Sequence, residues 1–184
     1  MRLVTEIRPW IRTPPETAPS GVPLLLHPEW LGAETAVVQG STFGTRADCD
    51  FGLYTDAPVG NVLGRWTALR HQLGFEAAVH SRQLHGSGVR RHDVLSPGLH
   101  LAGDADGHLT RTPGVLLTVA SADCVPVTLV TESPGCVALL HAGWRGVVAG
   151  IVEMGVAAFR TFHGVPARAL QAHLGPAICG TCYE

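Results

Sequence analysis

The sequence carries little charge and no marked excess of either sign. Only 15% of the 184 residues are charged, and the formal net charge is -2. A protein that binds nucleic acid through its surface charge presents a basic face, and no block of like charge occurs here. The composition therefore argues against a nucleic-acid partner. A hydrophobic content of 46% is that of a folded chain.

The chain also lacks a long hydrophobic run. The stretch VPLLLHPEWL is too short to span a bilayer and is interrupted by His27, Pro28 and Glu29. The first residues, MRLVTEIRPW, lack the apolar centre of a secretory signal. We therefore expect a cytoplasmic protein with no membrane partner.

The number of cysteines argues against a disulfide framework. An odd number in a chain without a secretory signal leaves the thiols reduced. Such thiols are available for packing, metal binding or nucleophilic chemistry. The five are Cys49, Cys124, Cys136, Cys179 and Cys182.

Hydrophobic periodicity predicts one α+β or mixed α/β domain without repeats or a linker. A strand is expected at Ala36–Gln39, and a helix over 61–74 in which Leu63, Trp66, Leu69 and Leu73 share a face, with Gly74 as its C-terminal cap. Residues 1–32 are expected to be poorly defined. Residues 93–114 are expected to be turns.

The second half of the chain has the clearest patterns. The apolar runs VLLTVASADCVPVTLV and CVALLHAGW are predicted to be neighbouring strands. A long helix is expected to start just after Gly143, with Val147, Ile151, Met154 and Ala158 on one face. A last strand and a turn are expected in LQAHLGPAICGTCYE.

Three side chains suited to metal or nucleophilic chemistry stand at or near the ends of predicted elements. Taken alone, Cys124 fits a core position, and His85 fits an exposed turn. Together with His141 they offer two imidazoles and a thiolate, a donor set for Zn²⁺ or copper with a fourth position left for water. We predict His85, Cys124 and His141 as metal ligands. The alternative is a cysteine hydrolase with Cys124 as nucleophile and His141 as base.

The motif HAGWRG joins a predicted strand to a helix. Gly143 and Gly146 would allow a ligand close to the backbone, and Arg145 could hold a phosphate or carboxylate at the helix mouth. The other interpretation is a plain turn with Trp144 in the core. Asp123 is expected to support Cys124 as a neighbouring carboxylate.

Five motifs occur in the order found in the YfiH-like family, which is also called the multicopper polyphenol oxidase, laccase-domain or peptidoglycan editing factor family. They are RQLHGSGV, ADGHLTRTPG, SADCVPVTLV, HAGWRGVVAGIV and GPAICGTCYE. The chain resembles that family over roughly residues 36–184. The resemblance implies a single layered α+β domain with mixed β-sheets and flanking helices, distantly similar to Cys–His deamidase toxins. It also implies a metal site at His85, Cys124 and His141.

The resemblance implies that the substrates are purine nucleosides and phosphate. Activities attributed to the family are phosphorolysis of adenosine, inosine, guanosine and methylthioadenosine, deamination of adenosine, editing of peptidoglycan precursors and copper-dependent oxidation of phenols. The ten histidines form no His-x-His pair, which disfavours a multicopper oxidase. A single zinc site suited to attack on adenine is favoured, and copper stays possible. A short member that binds a ligand without turnover is a further alternative.

Three further residues are candidates for catalysis. Arg145 and Arg46 are cations that could hold phosphate, and Asp106 could act as acid/base or bind a ribose hydroxyl. The chain departs from the family pattern at Cys179, where glycine is typical. Cys179 and Cys182 form only a weak metal or redox signal, because no second cysteine pair and no thioredoxin-like pattern accompany them. The chain ends after CYE, so the C-terminal part of the family domain is expected to be missing.

Overall fold

A computed structural model describes residues 2–3, 11–13, 22–26, 37–42, 50–53, 56–131 and 135–183. The strands within these residues are β1 (Arg2–Leu3), β2 (Ile11–Thr13), β3 (Leu24–Leu26), β4 (Gly40–Thr42), β5 (Ala77–Arg82), β6 (Val89–His92), β7 (Gly98–Asp104), β8 (Gly107–Thr110), β9 (Val115–Leu117), β10 (Val125–Thr131), β11 (Cys136–Ala142) and β12 (Gln171–Leu174). The helices are α1 (Val59–Gln72), α2 (Trp144–Val148) and α3 (Ile151–His163), and a 3₁₀ turn follows at Ala167–Ala169.

The strands form three sheets. The largest has the order β1-β12-β10-β11-β8-β6 and is mixed, with an antiparallel β10–β11 hairpin at its centre and a parallel β6–β8 pair at one edge. A second sheet, β2-β3-β4, is antiparallel. The third, β7-β5-β9, is parallel. The predicted class, an α+β domain with mixed sheets and flanking helices, is confirmed.

Helix α3 covers the centre of the largest sheet. Its Ile151 and Phe159 are fully buried, as is Leu140 on β11 beneath them. Gly155 lies where a Cβ atom would be 2.5 Å from Leu140 Cδ1. The missing side chain therefore lets the helix approach the strand that carries His141.

Helix α1 covers the third sheet. Val62, Trp66 and Leu69 are buried and pack with Ala78 of β5. Leu63 is 45% exposed, so its expected place on the buried face is wrong, and Val62 occupies that place. Gly74 follows the helix with φ 73°, the left-handed conformation expected at a C-terminal cap.

The helix expected to run on from Gly143 is divided in two. Gly150 has φ 86°, which ends α2 after five residues and lets α3 start in a new direction. As a result Val147 and Met154 are about half exposed. The predicted apolar face is wrong at these two positions, and Phe159 is buried instead.

Two other expectations from local sequence are also wrong. The strand expected at Ala36–Gln39 lies at Gly40–Thr42, and Ala36 is outside the described residues. The stretch 93–114 contains β7 and β8 instead of turns alone. Strand β8 is buried at all four positions because it lies inside the sheet between β6 and β11 and also contacts α3 and β9, so it has no alternating pattern to detect. No helix among the described residues is both long and apolar enough to cross a bilayer.

We predict opposite effects of two glycine-to-alanine changes in helices. Gly64→Ala, at an exposed position of α1 with open space around it, should raise the free energy of unfolding by about 1 kcal/mol because alanine favours the helix. Gly155→Ala should lower it, because overpacking against Leu140 costs about 1–3 kcal/mol and exceeds that gain. Urea unfolding of both variants measures the difference. Equal stabilisation by both changes would contradict the close packing of α3 on β11.

Candidate metal centre

The fold brings together the three side chains expected to bind a metal. Cys124 directly precedes β10, and His141 lies near the end of β11, opposite Pro126 in the hairpin register. His85 lies in the loop after β5, and its ring meets the His141 ring edge to face at 4.8 Å. The two imidazole nitrogens and the sulfur lie within 4.8 Å of one another. Of the described residues, only these three form such a group.

The three side chains differ in their access to solvent. His141 has 4% of its side chain exposed, Cys124 is half-buried, and His85 is the most open. The group is therefore closed on the His141 side and open on the His85 side. A bound ion would keep an accessible position, as catalytic zinc sites do.

A buried carboxylate lies behind the group. Asp106 is 2% exposed, and its Oδ1 accepts hydrogen bonds from His141 Nδ1 at 3.0 Å and from the amide of His85 at 2.9 Å. Its Oδ2 accepts from the amides of Leu84 at 3.1 Å and Gly86 at 2.8 Å. Since Nδ1 of His141 is engaged, its Nε2 is the nitrogen left to face a metal.

These hydrogen bonds decide the charge of Asp106. Burial by itself would raise the pKa of this carboxyl, because it disfavours the charged form. The hydrogen bonds from His141 and from the amides of Gly86, Leu84 and His85 outweigh burial and hold its pKa below the usual value. Asp106 is therefore an anion at neutral pH.

The same carboxylate fixes an unusual backbone conformation at His85. This residue has φ 58°, and it is the only non-glycine residue with positive φ in the described part of the chain. Such a conformation costs energy and persists where the surroundings impose it. The amides of Leu84, His85 and Gly86 all point at Asp106, so the carboxylate holds the loop that presents His85.

Two glycines of HAGWRG make room for the group. A Cβ atom at Gly143 would lie 2.8 Å from His85 Cδ2 and 2.9 Å from Cys124 Sγ. At Gly146 it would lie 2.9 Å from the carbonyl oxygen of Gly86. The close approach that the sequence predicted is therefore made by the protein's own side chains and backbone.

The expected neighbours of the group lie in different places. Asp106, the expected acid/base or ribose ligand, stands behind His141, and both of its oxygens accept hydrogen bonds from the protein. Asp123 was expected to support Cys124. Its carbonyl oxygen accepts a hydrogen bond from the amide of Ile178, and the carboxylate bonded to a candidate ligand is that of Asp106.

Arg145 and Trp144 form an exposed pair beside the group. The Arg145 guanidinium lies 4.5 Å from the centre of the Trp144 ring, and Trp144 is 56% exposed, so it does not fill the core. Helix α2 has only five residues, which gives a smaller dipole than the long helix expected there. Arg46 lies outside the described residues.

A second histidine pair lies in the core between β6 and β8. His92 Nε2 and His108 Nδ1 are 2.9 Å apart. Burial lowers the pKa of His108 to about 3, with a further contribution from His92, so His108 is neutral at ordinary pH. The pair supplies only two side chains that could bind a metal, and we interpret it as part of the packing between β6 and β8.

A cavity of about 710 Å³ lies between the sheets, apart from the three metal-ligand candidates. Its lining is mainly apolar and includes Trp66, His80 and Leu139. It meets the segment around Cys124 at residues 119–121 and at Pro126, and none of the three candidate ligands lines it. Its size is that of a small-molecule site, but its position separates it from the chemical groups described above.

We predict that the two aspartates of this region respond differently to replacement by asparagine. Asp106→Asn should lower the free energy of unfolding by at least about 2 kcal/mol, because an amide cannot accept on both sides and leaves buried N–H groups unpaired. Asp104→Asn, in an exposed ion pair with Arg82, should cost much less, because solvent screens the charges of such a pair. Urea unfolding at neutral pH tests both variants. Equal costs would refute the structural role of Asp106.

The sequence is similar to a known protein family and to several named proteins. Residues 35–184 match the family described as multi-copper polyphenol oxidoreductase laccase. A purine nucleoside phosphorylase of Xylella fastidiosa is 38% identical over 136 residues, which cover 72% of this chain and 50% of that protein. One of Deinococcus radiodurans is 34% identical over 170 residues, which cover 91% and 65%. Adenosine deaminase RL5, from an unknown prokaryotic organism, is 36% identical over 132 residues, which cover 67% and 50%.

Solved structures give the same relationship. The Bacillus licheniformis protein YfiH superposes with a TM-score of 0.72 at 27% identity, over 91% of this chain and 66% of that one. YlmD from Geobacillus stearothermophilus gives a TM-score of 0.66 at 28% identity, over 98% and 67%. The chain spans about half to two thirds of the length of these relatives. Because the match extends over most of the chain and includes every candidate ligand, this protein belongs to the family described as multi-copper polyphenol oxidoreductase laccase, the YfiH-like family.

Proposed function

We propose that this chain is a zinc-dependent purine nucleoside enzyme, acting as a phosphorylase on adenosine, inosine, guanosine or methylthioadenosine and as an adenosine deaminase. The observation that carries the proposal is the group His85, Cys124 and His141, with Asp106 orienting His141 from behind. Relatives named purine nucleoside phosphorylase and adenosine deaminase support the substrate class.

The donor set fits a borderline-soft ion. Two imidazole nitrogens and one thiolate suit zinc, and they accept copper as well. Zinc bound by three protein ligands supplies a Lewis acid that activates water or a substrate oxygen. His85, Cys124 and His141 would hold the ion, and the Asp106 carboxylate would fix the orientation of the His141 ring.

Arg145 is our candidate for holding the phosphate. Its guanidinium is exposed and stacks on Trp144. Arg145 lies two positions after Gly143, the glycine whose missing side chain makes room for His85 and Cys124. A planar cation beside an exposed aromatic ring offers two-point contact to phosphate and a stacking surface for a purine. Arg46 is a second candidate cation for the same anion. Asp106 contributes through His141, as a positioning residue.

The metal site can be tested without any substrate. Gly143 has φ -73° and ψ 159°, which alanine also adopts, so Gly143→Ala changes only the space between His85 and Cys124. We expect zinc affinity to fall by roughly 10–100-fold, the effect of disturbing ligand orientation. Gly88→Ala, in the loop that carries His85, is the matched control, since nothing lies within 4 Å of its Cβ position. Competition titration with a chromogenic chelator measures both. Unchanged affinity in Gly143→Ala would place the metal elsewhere.

The activity is tested by product analysis. Purified protein carrying about one zinc per chain is incubated with adenosine, with and without phosphate. Phosphate-dependent release of adenine, or conversion of adenosine to inosine, supports the proposal. The variant His85→Ala should form neither product. The control variant His71→Ala, at an exposed position of α1, should form the same products as the wild-type protein. Zinc-loaded protein that turns over none of the four nucleosides would refute it.

Phosphate binding by Arg145 has its own readout in the same assay. Arg145→Ala should raise the KM for phosphate by roughly 10–100-fold, the value of a charge-assisted hydrogen bond, while Arg160→Ala on the exposed side of α3 leaves it unchanged. An unchanged KM for phosphate in Arg145→Ala would leave Arg46 as the candidate.

A second candidate function rests on one specific observation. Asp106 contacts His141, and His141 lies beside Cys124. The same spatial arrangement occurs in cysteine hydrolases, where a carboxylate orients the histidine and the histidine activates the thiol. A nucleophilic thiolate must be free of metal. Amide hydrolysis by zinc-free protein that zinc inhibits would therefore favour this alternative, and activity that requires zinc would exclude it.

A further inference from the structure

Beyond the metal centre, a turn after β12 carries two cysteines. The amide of Cys182 donates to the carbonyl oxygen of Cys179 at 2.9 Å. A hydrogen bond between residues i and i+3 closes a β-turn, whose first and last Cα atoms lie less than about 7 Å apart. Disulfides join Cα atoms about 4.4–6.8 Å apart, so the turn has a span suited to a bridge.

The two sulfur atoms also lie on the same side of the turn. The Thr181 hydroxyl is 3.2 Å from Cys179 Sγ and 4.0 Å from Cys182 Sγ. Both cysteines are free thiols and both are exposed. A reagent in solution can therefore reach either sulfur, and each sulfur can reach the other. Cys136 provides a contrast, since it is 1% exposed and burial raises the pKa of its thiol.

The surroundings of Cys179 favour its reactive form. A hydrogen bond from the Cys182 thiol, with a second from the Thr181 hydroxyl, lowers the pKa of Cys179 to about 7. The thiolate is the form that attacks a disulfide, so a substantial fraction of Cys179 is ready to react at neutral pH.

We propose that Cys179 and Cys182 form a reversible dithiol–disulfide site that exchanges with small disulfides of the glutathione type. The Cys179 thiolate attacks one sulfur of the small disulfide, forms a mixed disulfide and releases one small thiolate. The Cys182 thiol then loses its proton to solvent, and its sulfur attacks Cys179 Sγ and expels the second small thiolate. In the whole reaction the protein dithiol is oxidised by two electrons, and one small disulfide is reduced to two thiols.

The geometry favours this chemistry over a second metal site. Two sulfurs on one turn supply half of a tetrahedral zinc set. In the ranges that the structure describes, the group of three or more metal-binding side chains is that of His85, Cys124 and His141. The turn also differs from a thioredoxin site, because its cysteines follow a strand without opening a helix.

The turn is attached to the loop that carries Cys124. The amide of Ile178 donates to the carbonyl oxygen of Asp123 at 3.1 Å, and the amide of Gly175 donates to that of Pro126 at 2.8 Å. A bridge from the turn to Cys124 is therefore the competing reaction that an experiment has to distinguish.

Peptide mapping distinguishes these outcomes. The protein is equilibrated with glutathione buffers from fully reduced to fully oxidised, quenched with acid, alkylated and digested with trypsin. Cleavage after Arg168 releases a peptide that starts at Ala169 and contains Cys179 and Cys182 but none of the other three cysteines. We expect this peptide to take up two alkyl groups in reducing buffer. In oxidising buffer it should take up none and lack two hydrogens.

Single-cysteine variants test the order of the steps. Cys182→Ser should accumulate a glutathione adduct on Cys179, because no second thiol is present to expel it. Cys179→Ser should form its adduct more slowly at pH 7 than Cys182→Ser does, because the hydrogen bonds that favour a thiolate are those made to Cys179. Buried Cys136 is the internal control and should stay unmodified in both variants.

Three results would overturn the proposal. The first is uptake of two alkyl groups by the wild-type peptide across the whole series of buffers. The second is a glutathione adduct that persists in the wild-type protein without closure of the bridge. The third is a peptide in which Cys179 or Cys182 is joined to Cys124.

Discussion

The candidate metal centre depends on the burial of one carboxylate. An ionised aspartate inside a protein is costly unless hydrogen bonds replace the water that it loses. Asp106 receives four such bonds, three from consecutive amides of the loop 84–86 and one from His141. The carboxylate thereby fixes two candidate ligands at once, the ring of His141 and the backbone that presents His85. Loss of any one donor would leave the buried carboxylate short of a hydrogen bond, which is costly for a charged group.

The site is also defined by side chains that are missing. Gly143 and Gly146 lie against the candidate ligands and the backbone of the His85 loop, at distances that leave no room for a Cβ atom. Farther from the site, Gly155 brings α3 onto β11 in the same way. These contacts set the spacing between β11, α2 and the loop after β5. The group of two imidazoles and a thiolate is thus held by packing as well as by hydrogen bonds.

Under the proposed function, the same metal site would account for relatives that carry two different names, phosphorylase and deaminase. A phosphorylase and a deaminase both need an activated oxygen nucleophile beside a purine nucleoside, and a partly open three-ligand site can support either. The difference then lies in the surroundings of the open side, where Trp144 and Arg145 are exposed. A cysteine hydrolase would use the same Cys124 and His141 without the ion, so occupancy of the site by metal decides between two classes of chemistry.

The sequence by itself determined the family, the fold class and the candidate ligands. The pairing of β10 with β11 and helix α1 followed from local patterns, because long apolar runs and helical spacing report burial directly. The run before β11 was expected to be one strand, but its first residues form β9, which belongs to the third sheet. Tertiary structure alone decided the features that depend on distant contacts. Strand β8 is buried on all sides by its neighbours and shows no periodicity, and Gly150 divides a helix that has a continuous pattern. The hydrogen bond between Asp106 and His141 joins residues 35 positions apart, and no local pattern in the sequence indicates that these two side chains meet. The sequence names the chemical groups, and the close packing of loops around one buried charge gives them their positions.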